Sequence, residues 1–447
     1  MSAYCAKLQI IACQMFRIKS CELFIVTLIM LIVLCGKNTS MNVLFIFSRH
    51  SKDPRDSTLT KDVSDEFARQ GINVYVMTML EKRDNQPTLM SIENGYNVLR
   101  VQTGNYFNCE TRLEKVKTIL TMPTQFIKAA KKYLNNIKFD LIVTHTPFVS
   151  SRKIILPLKK YFNCPAHLIL WDIFPQNAWD IGIIRNRMLF NFFKYAEIKM
   201  LQSYDQIWCM SDGNVKYVLK NYPELRNMPI DRLYNSAKIK PLPEVNRESV
   251  RRQFGYTNED VIAIFGGNMG VPQRLENILE LAKLAQNISS KAKFLFVGQG
   301  TETIRLIKLA IQMELTNIKF IEQLPREDYE NITFAADIGL VSLDQRFTVP
   351  NFPSKTTDYF KLQLPILASL DSCAAQDYGY FLTNIARAGR FALAGDSGEL
   401  FNRYMELYSD SVLRKDLGFN GRKFYENELD VNIACRRICE QINLIKT

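Results

Sequence analysis

From Met41 almost to the end of the chain, short apolar runs alternate with longer amphipathic stretches, and the pattern breaks once and then restarts. Val43–Phe47 reads as a buried strand, Thr60–Gln70 as a helix ended by Gly71, and Val74–Met79 as the next strand. Leu141–Val143, His167–Leu170 and Ile207–Met210 continue the series, the last leading into a helix near Asn214–Leu219. Strands separated by helices need crossovers, which are right-handed and give parallel sheets. Lys238-Ile-Lys-Pro-Leu-Pro-Glu244 reads as a linker. After it come strands at Val261–Phe265, Lys293–Val297, Ile318–Ile321, Ile338–Val341 and Pro365–Ala368, with helices over Leu275–Ala285, Glu302–Leu309 and Thr356–Leu362. Leu413–Ile445 reads as helical and is expected to pack back on the first domain. The expected architecture is α/β, with two Rossmann-like parallel-sheet domains facing a central cleft. The domains are expected at 41–237 and 245–420, joined by linker 238–244, with a returning helix at 421–447. In such folds ligands bind outside the carboxyl ends of the strands, so interest falls on the loops that follow strands.

Composition narrows the partners. With 47% hydrophobic and 23% charged residues the chain is neither disordered nor collagenous nor polytopic. A net charge of +12 suits phosphate-rich ligands or an anionic membrane face. The ten cysteines form no CxxC pair, which fits free thiols in a reducing compartment. Only His50, His145 and His167 occur, so a multi-histidine metal site is excluded, and no Asp-x-Asp pair offers ligands for a metal on a sugar diphosphate. Nothing resembles a nucleic-acid motif, a Walker loop, a GxSxG elbow or HExxH. Ahead of Met41, Leu23–Cys35 is an apolar run shorter than the roughly 20 residues that span a bilayer. Residues 1–40 read as an extended reading frame, as a membrane anchor, or as a cleaved signal.

Several strand-following loops carry candidate chemistry. Gly266-Gly267-Asn268-Met269-Gly270 stands between a strand and a helix, where glycine lets backbone N–H groups approach an anion. Gly298-Gln299-Gly300 does the same after the next strand, and neither has GxGxxG spacing. A tight structural turn explains either loop taken alone. In Pro353-Ser354-Lys355, Ser354 is placed to cap a helix, with Lys355 beside its free N–H groups and Asp358 one turn on. A solvated surface helix is the competing reading. Trp171-Asp172-Ile-Phe-Pro-Gln-Asn-Ala sets an acid, amides and two large rings at a strand's end, with Trp171 and Phe174 as core the alternative. His145 ends another strand, and a satisfied structural histidine is the alternative there. Arg112–Lys138 and Arg185–Lys194 mix cations with apolar residues, as membrane-surface helices do and as core-packed helices with a solvated face also do.

Taken in order, Asp172-Ile-Phe-Pro-Gln-Asn-Ala, Phe265-Gly-Gly-Asn-Met-Gly, Phe296-Val-Gly-Gln-Gly-Thr-Glu, Ala335-Ala-Asp-Ile-Gly-Leu and Pro353-Ser-Lys resemble the group 1 glycosyltransferases (glycosyltransferase family 4, GT-B fold), in the capsule and O-antigen polysaccharide branch. The resemblance covers about nine-tenths of the chain. It implies a retaining, metal-independent transfer of a hexosyl or N-acetylhexosaminyl group from a nucleotide sugar, with no cofactor. The donor is expected to be UDP-linked and the acceptor a lipid-linked saccharide at the inner face of the plasma membrane. The family's diphosphate-binding Arg and Lys fall on Asn268 and Gln273, leaving Lys355 as the principal cation and Arg274 as a second. The resemblance thus assigns the diphosphate to Gly266, Gly267, Asn268, Gly270, Gln273, Arg274, Ser354 and Lys355. It assigns the nucleoside to Gly298, Gly300, Leu324 and Asp358, with Asp358 on the ribose. The family's other acid falls on Pro350, so the donor sugar is expected against Asn351 and Phe352. His145 and Asp172 are expected beside the reacting groups. Two other expectations stay open: a sugar-nucleotide epimerase or phosphorylase on the same fold, and a non-catalytic partner subunit of a transferase.

Overall fold

The protein is described by a computed structural model for residues 41–446, other than 55, 108, 110 and 148–150; residues 1–40, with the three readings that fall on them, lie outside the described residues. The first apolar series builds one sheet from β1 (Asn42–Phe47), β2 (Asn73–Glu81), β3 (Leu89–Glu93), β4 (Tyr96–Thr103), β5 (Leu141–His145), β6 (Ala166–Leu170), β7 (Gln206–Cys209) and β8 (Ile230–Arg232). Their order is β3-β4-β2-β1-β5-β6-β7-β8, and every pair is parallel except β3 with β4. The second sheet holds β9 (Val261–Gly266), β10 (Ala292–Val297), β11 (Ile318–Ile321), β12 (Ile338–Ser342), β13 (Ile366–Leu370) and β14 (Gly389–Leu393). It is parallel throughout, in the order β11-β10-β9-β12-β13-β14.

The central strands read as unbroken apolar runs because helices cover both faces of each sheet. Val43 to Ile46 and Ile262 to Phe265 are fully buried. Each sheet winds outward in both directions from its first strand. The order therefore reverses between β1 and β5 in one sheet and between β9 and β12 in the other. A crevice opens at such a reversal, and the loops that flank it carry the ligands.

The chain crosses between the lobes twice. After the helix Ser411–Glu428, the helix Val431–Lys446 returns to the first lobe, where it packs on the helix Leu59–Arg69. Gln70 Nε2 donates to Asn432 Oδ1 at 2.9 Å, and Arg437 pairs with Asp231 at 2.8 Å. The expected single helix over Leu413–Ile445 is thus two, broken at Leu429–Asp430, where Asp430 bridges to Ala237 in the outgoing crossing.

Polar bonds also join the lobes. Asp180 Oδ2 accepts from the N–H and hydroxyl of Thr348 at 2.7 and 2.8 Å. The Asp377 carboxylate accepts from the Ser211 hydroxyl and, at 3.0 Å, from the Gly213 N–H. Asn214 Nδ2 donates to Pro350 O at 2.6 Å. The six described cysteines are free thiols. No helix among the described residues is long and apolar enough to cross a membrane.

Candidate active site

A cavity of about 530 Å³ lies between the lobes at the two reversals of strand order. From the first lobe it is lined by Trp171, Asp172, Phe174 and Asn177, all in the segment after β6. From the second come Gln273, Asn351, Phe352, Pro353, Ser354 and Lys355. Asp172 and Lys355 are its only charged lining residues among those described.

Lys355 opens the helix Lys355–Lys361. Its Nζ stands 4.6 Å from the centre of the Phe265 ring and makes no hydrogen bond or ion pair with a described residue. Burial pulls its pKa down to about 8, against the opposing pull of Asp358. Gly267 lies against it, where a Cβ would be in ordinary contact 3.6 Å from Nζ; what calls for glycine there is the backbone, whose φ of +115° strains any side chain. Ser354 does not cap the helix as expected. It takes helical angles, accepts no N–H, and leaves its exposed hydroxyl free at the cavity edge.

The glycine turn is built differently from the expected row of free donors. Gly266 N–H donates to Tyr359 Oη, Gly267 N–H to Val297 O, Met269 N–H to Gln299 O and Gly270 N–H to Gln273 Oε1. Only the Asn268 N–H has no acceptor among the described residues. The glycines are there for close approach instead: a Cβ on Gly298 would lie 2.2 Å from Gly267 O, and one on Gly300 2.2 Å from Met269 O. The two loops are stacked backbone on backbone, which is the structural-turn reading. Arg274 is also displaced from its expected place. It sits in the left-handed region at φ 35° and lines a separate crevice with Glu276, Glu302, Arg305, Asp344 and Arg346. Lys355 is therefore the single cation lining the cavity among the described residues.

Gly298, Gly300, Leu324 and Asp358 are not among the cavity's lining residues. Asp358 Oδ1 is held by the guanidinium of Arg326, which also donates to Glu330 at 2.7 Å, and Glu330 is paired with Lys361 at 2.5 Å. No sequence signal marks Arg326 as the partner of Asp358.

His145 ends β5 at the first reversal, 5% exposed and outside the cavity lining. Its Nδ1–H donates to Thr146 O at 2.9 Å and its Nε2 accepts the Ser48 N–H at 3.4 Å, which fixes a neutral tautomer. Burial drives its pKa down to about 4. Its ring lies 4.4 Å from that of Trp171, so it supports the cavity wall and does not touch the cavity. His145 is thus enclosed behind Trp171, which lines the cavity. Asp172 is held by its backbone, N–H to Thr146 Oγ1 at 2.9 Å. Its carboxylate is open to the cavity, accepts nothing from described residues, and has its pKa raised by the surrounding protein. Asn351 Nδ2 is turned to Val349 O at 3.1 Å, and Phe352 packs with Tyr234, Tyr378 and Phe381. No group of three metal-ligating side chains converges among the described residues.

No family model matches the chain. In sequence it is 25% identical over 221 residues to a probable glycosyltransferase WbjE of Pseudomonas aeruginosa, 46% of this chain and 51% of that one. It is 28% identical over 103 residues to a putative colanic acid biosynthesis glycosyl transferase WcaI of Escherichia coli K12, 23% of this chain and 24% of that. The chain thus matches about half of the one relative's length and a quarter of the other's. Among solved structures, the sucrose-phosphate synthase of Thermosynechococcus elongatus superposes with TM-score 0.70 at 17% identity, over 91% of this chain and all of that one. Anabaena HepE in complex with UDP-glucose gives 0.63 at 15% identity, over 90% and 99%. WaaG, a glycosyltransferase involved in lipopolysaccharide biosynthesis, gives 0.60 at 16% identity, over 90% and 99%.

Proposed function

The fold is that of the GT-B glycosyltransferases, and from that premise we propose that the protein is a retaining glycosyltransferase of surface polysaccharide synthesis. It takes a UDP-linked sugar as donor and a lipid-linked saccharide as acceptor, and it works without a metal ion. The observation that carries this reading is the cavity between the lobes with one uncommitted cation, Lys355, on the second-lobe wall and one uncommitted carboxylate, Asp172, on the first. The relatives' names and the UDP-sugar held by HepE support it.

The chemistry follows from where charge develops. The bond from the anomeric carbon to the diphosphate oxygen breaks, and its electron pair stays on that oxygen. Lys355, the Ser354 hydroxyl and the Asn268 N–H stabilise the growing negative charge. The acceptor oxygen bonds to the anomeric carbon on the face the phosphate leaves, and its proton passes to the departing phosphate oxygen. No strong base is needed, which agrees with a neutral, enclosed His145. Asp172 orients a hydroxyl of the donor sugar or acceptor. The nucleoside lies beyond the cavity, with Asp358 on its ribose and Gly298, Gly300 and Leu324 around the base.

Lys355→Ala removes a charge-assisted hydrogen bond of about 1.5–3 kcal/mol, so kcat/KM for the donor drops by between about tenfold and 150-fold. Unchanged turnover in that variant would overturn the assignment. The displaced Arg274 and the occupied N–H groups favour one other reading, a partner subunit that has lost catalysis. Calorimetry with UDP separates the two, since such a subunit binds none.

The membrane side of the proposal rests on one helical layer of the first lobe. The helices Arg112–Tyr133, Ser151–Phe162 and Arg187–Leu201 pack in that order. Leu113 and Leu120 on the first, and Met188, Phe192 and Tyr195 on the last, are exposed, Met188 to 82% and Phe192 to 64%. Lys117, Arg185, Arg187 and Lys199 stand among them. Apolar side chains set among cations suit the headgroup region of an anionic bilayer.

A further inference from the structure

We infer that the sugar end of the donor site is put together by docking of the two lobes, with Asp180 and Asn214 as positioning residues that act through the tripeptide Thr348-Val349-Pro350. The inference rests on the cleft being a nucleotide-sugar site and identifies what fixes one end of it.

The tripeptide belongs to the second lobe, between β12 and the helix Lys355–Lys361, yet the first lobe holds it. Asp180 Oδ2 accepts from the N–H and the hydroxyl of Thr348 at 2.7 and 2.8 Å, while its Oδ1 accepts from Gln176 Nε2 at 2.7 Å. Val349 is 1% exposed and sits in the apolar core of the first lobe. Pro350 O accepts from Nδ2 of the buried Asn214, in the helix Asp212–Asn221, at 2.6 Å. Three successive residues thus take their place from the opposite lobe. The exchange runs both ways, because Ile181, next to Asp180, is buried in the core of the second lobe.

Both docked segments lead into the cavity wall. Asp172, Phe174 and Asn177 precede Asp180 in one, and Asn351, Phe352 and Pro353 follow Pro350 in the other. Asn351 is tied back to the tripeptide by Nδ2 to Val349 O at 3.1 Å. Neither Asp180 nor Asn214 lines the cavity, so each acts through these neighbours.

The diphosphate end is fixed differently. Lys355 shares its helix with Tyr359, one turn on and fully buried. The Tyr359 hydroxyl is shared between Ile264 O and Leu340 O, each at 3.1 Å, and accepts the Gly266 N–H at 3.3 Å. All three partners belong to the second lobe, so this end does not depend on the docking. A sugar bonded to the phosphate at Lys355 reaches from that fixed point toward the first-lobe wall. Whether Asp172 meets it then follows from how the lobes are docked, since a hydrogen bond weakens steeply when its geometry is lost.

The test is calorimetry on the full chain with UDP, UDP-glucose, UDP-galactose and the two N-acetyl counterparts. It compares the unsubstituted protein with Asp180→Ala, Thr348→Val and Thr348→Ser. Asp180→Ala should leave UDP affinity within about twofold and weaken the best-bound UDP-sugar about tenfold, the loss of one hydrogen bond to a charged group. Thr348→Val keeps the N–H donor and should show the same selective loss by a smaller factor; it carries the same criterion if Asp180→Ala does not fold. Thr348→Ser keeps both donors and should match the unsubstituted protein. A merely structural clamp would lower the urea midpoint without changing the ratio of the two affinities. If UDP and the UDP-sugar weaken together, or neither weakens, the inference fails and the transferase reading stands. Absence of binding by UDP and by every UDP-sugar in the unsubstituted protein sinks both.

Discussion

Lys355 carries a charge on a half-buried cavity wall with no counter-ion at contact distance among the described residues, and desolvation there lowers its pKa to about 8. The charge is present below pH 8 and is lost as the pH rises through it. Because kcat/KM reports the free enzyme, its value for the donor should decline above about pH 8, while kcat holds to higher pH because bound diphosphate keeps the lysine protonated. Lys355→Arg should remove the alkaline decline, since a guanidinium stays charged. The acid side gives a second check. His50, His145 and His167 are each pushed to about 4 by burial, so no histidine step is expected near pH 6.5, and a profile with one would contradict the neutral His145. Lys355, Ser354 and Asp172 are legible as cavity-lining residues because they follow strands, and the topology brings those ends together; Gln273, Asn351 and Phe352, which also line it, are reached only through the family resemblance. His145, Arg274 and the N–H groups of Gly266–Gly270 follow strands too. What decides their roles is which neighbour already holds each group, and that is a property of packing with no trace in spacing.

Among the elements, the β3–β4 hairpin is absent from the sequence reading although it carries a strong local signal. Asn94-Gly95 joins the two strands with φ of 51° and 84°, the paired left-handed conformation of a two-residue type I′ turn. The strands escape an apolar-run search because each is half polar, as an edge hairpin must be. Two glycines separate backbone freedom from close approach. Gly95→Ala meets nothing within 4 Å, so urea unfolding should show only the left-handed penalty, about 1–2 kcal/mol. Gly298→Ala drives a Cβ to within 2.2 Å of Gly267 O, so it should destabilise more and weaken donor binding, because the loop it displaces lies against the Lys355 side chain. Helices whose stripe faces the core were read to within a few residues. For Arg185–Lys194 the sequence leaves a core-packed and a membrane-surface helix open, and in the helix Arg187–Leu201 the side chains of Met188, Phe192 and Tyr195 are exposed.

For the whole molecule, two sheets with the same winding follow from the twofold run of the apolar pattern, and the interlobe cavity follows from their reversals. The bonds that set the lobes against each other, Asp180 to Thr348 and Asp377 to Ser211 and Gly213, join residues more than 160 apart and are invisible along the chain. The basic, apolar helical layer makes a prediction at this scale. With vesicles containing anionic phospholipid, the protein should co-sediment, release as salt is raised, and lose most of its binding on combined Phe192→Ser and Tyr195→Ser substitution. Binding unaffected by both salt and substitution would refute that surface.

The second crossing at Leu429–Asp430 means that the first lobe is completed by the last helix, Val431–Lys446. During synthesis the amino-terminal half therefore waits, its Leu59–Arg69 helix uncovered, until Val431–Lys446 has left the ribosome. An expression clone ended near residue 240 omits a wall of the half it was meant to isolate. A working fragment needs Val431–Lys446 grafted back, supplied either in trans or through a short tether from Ala237.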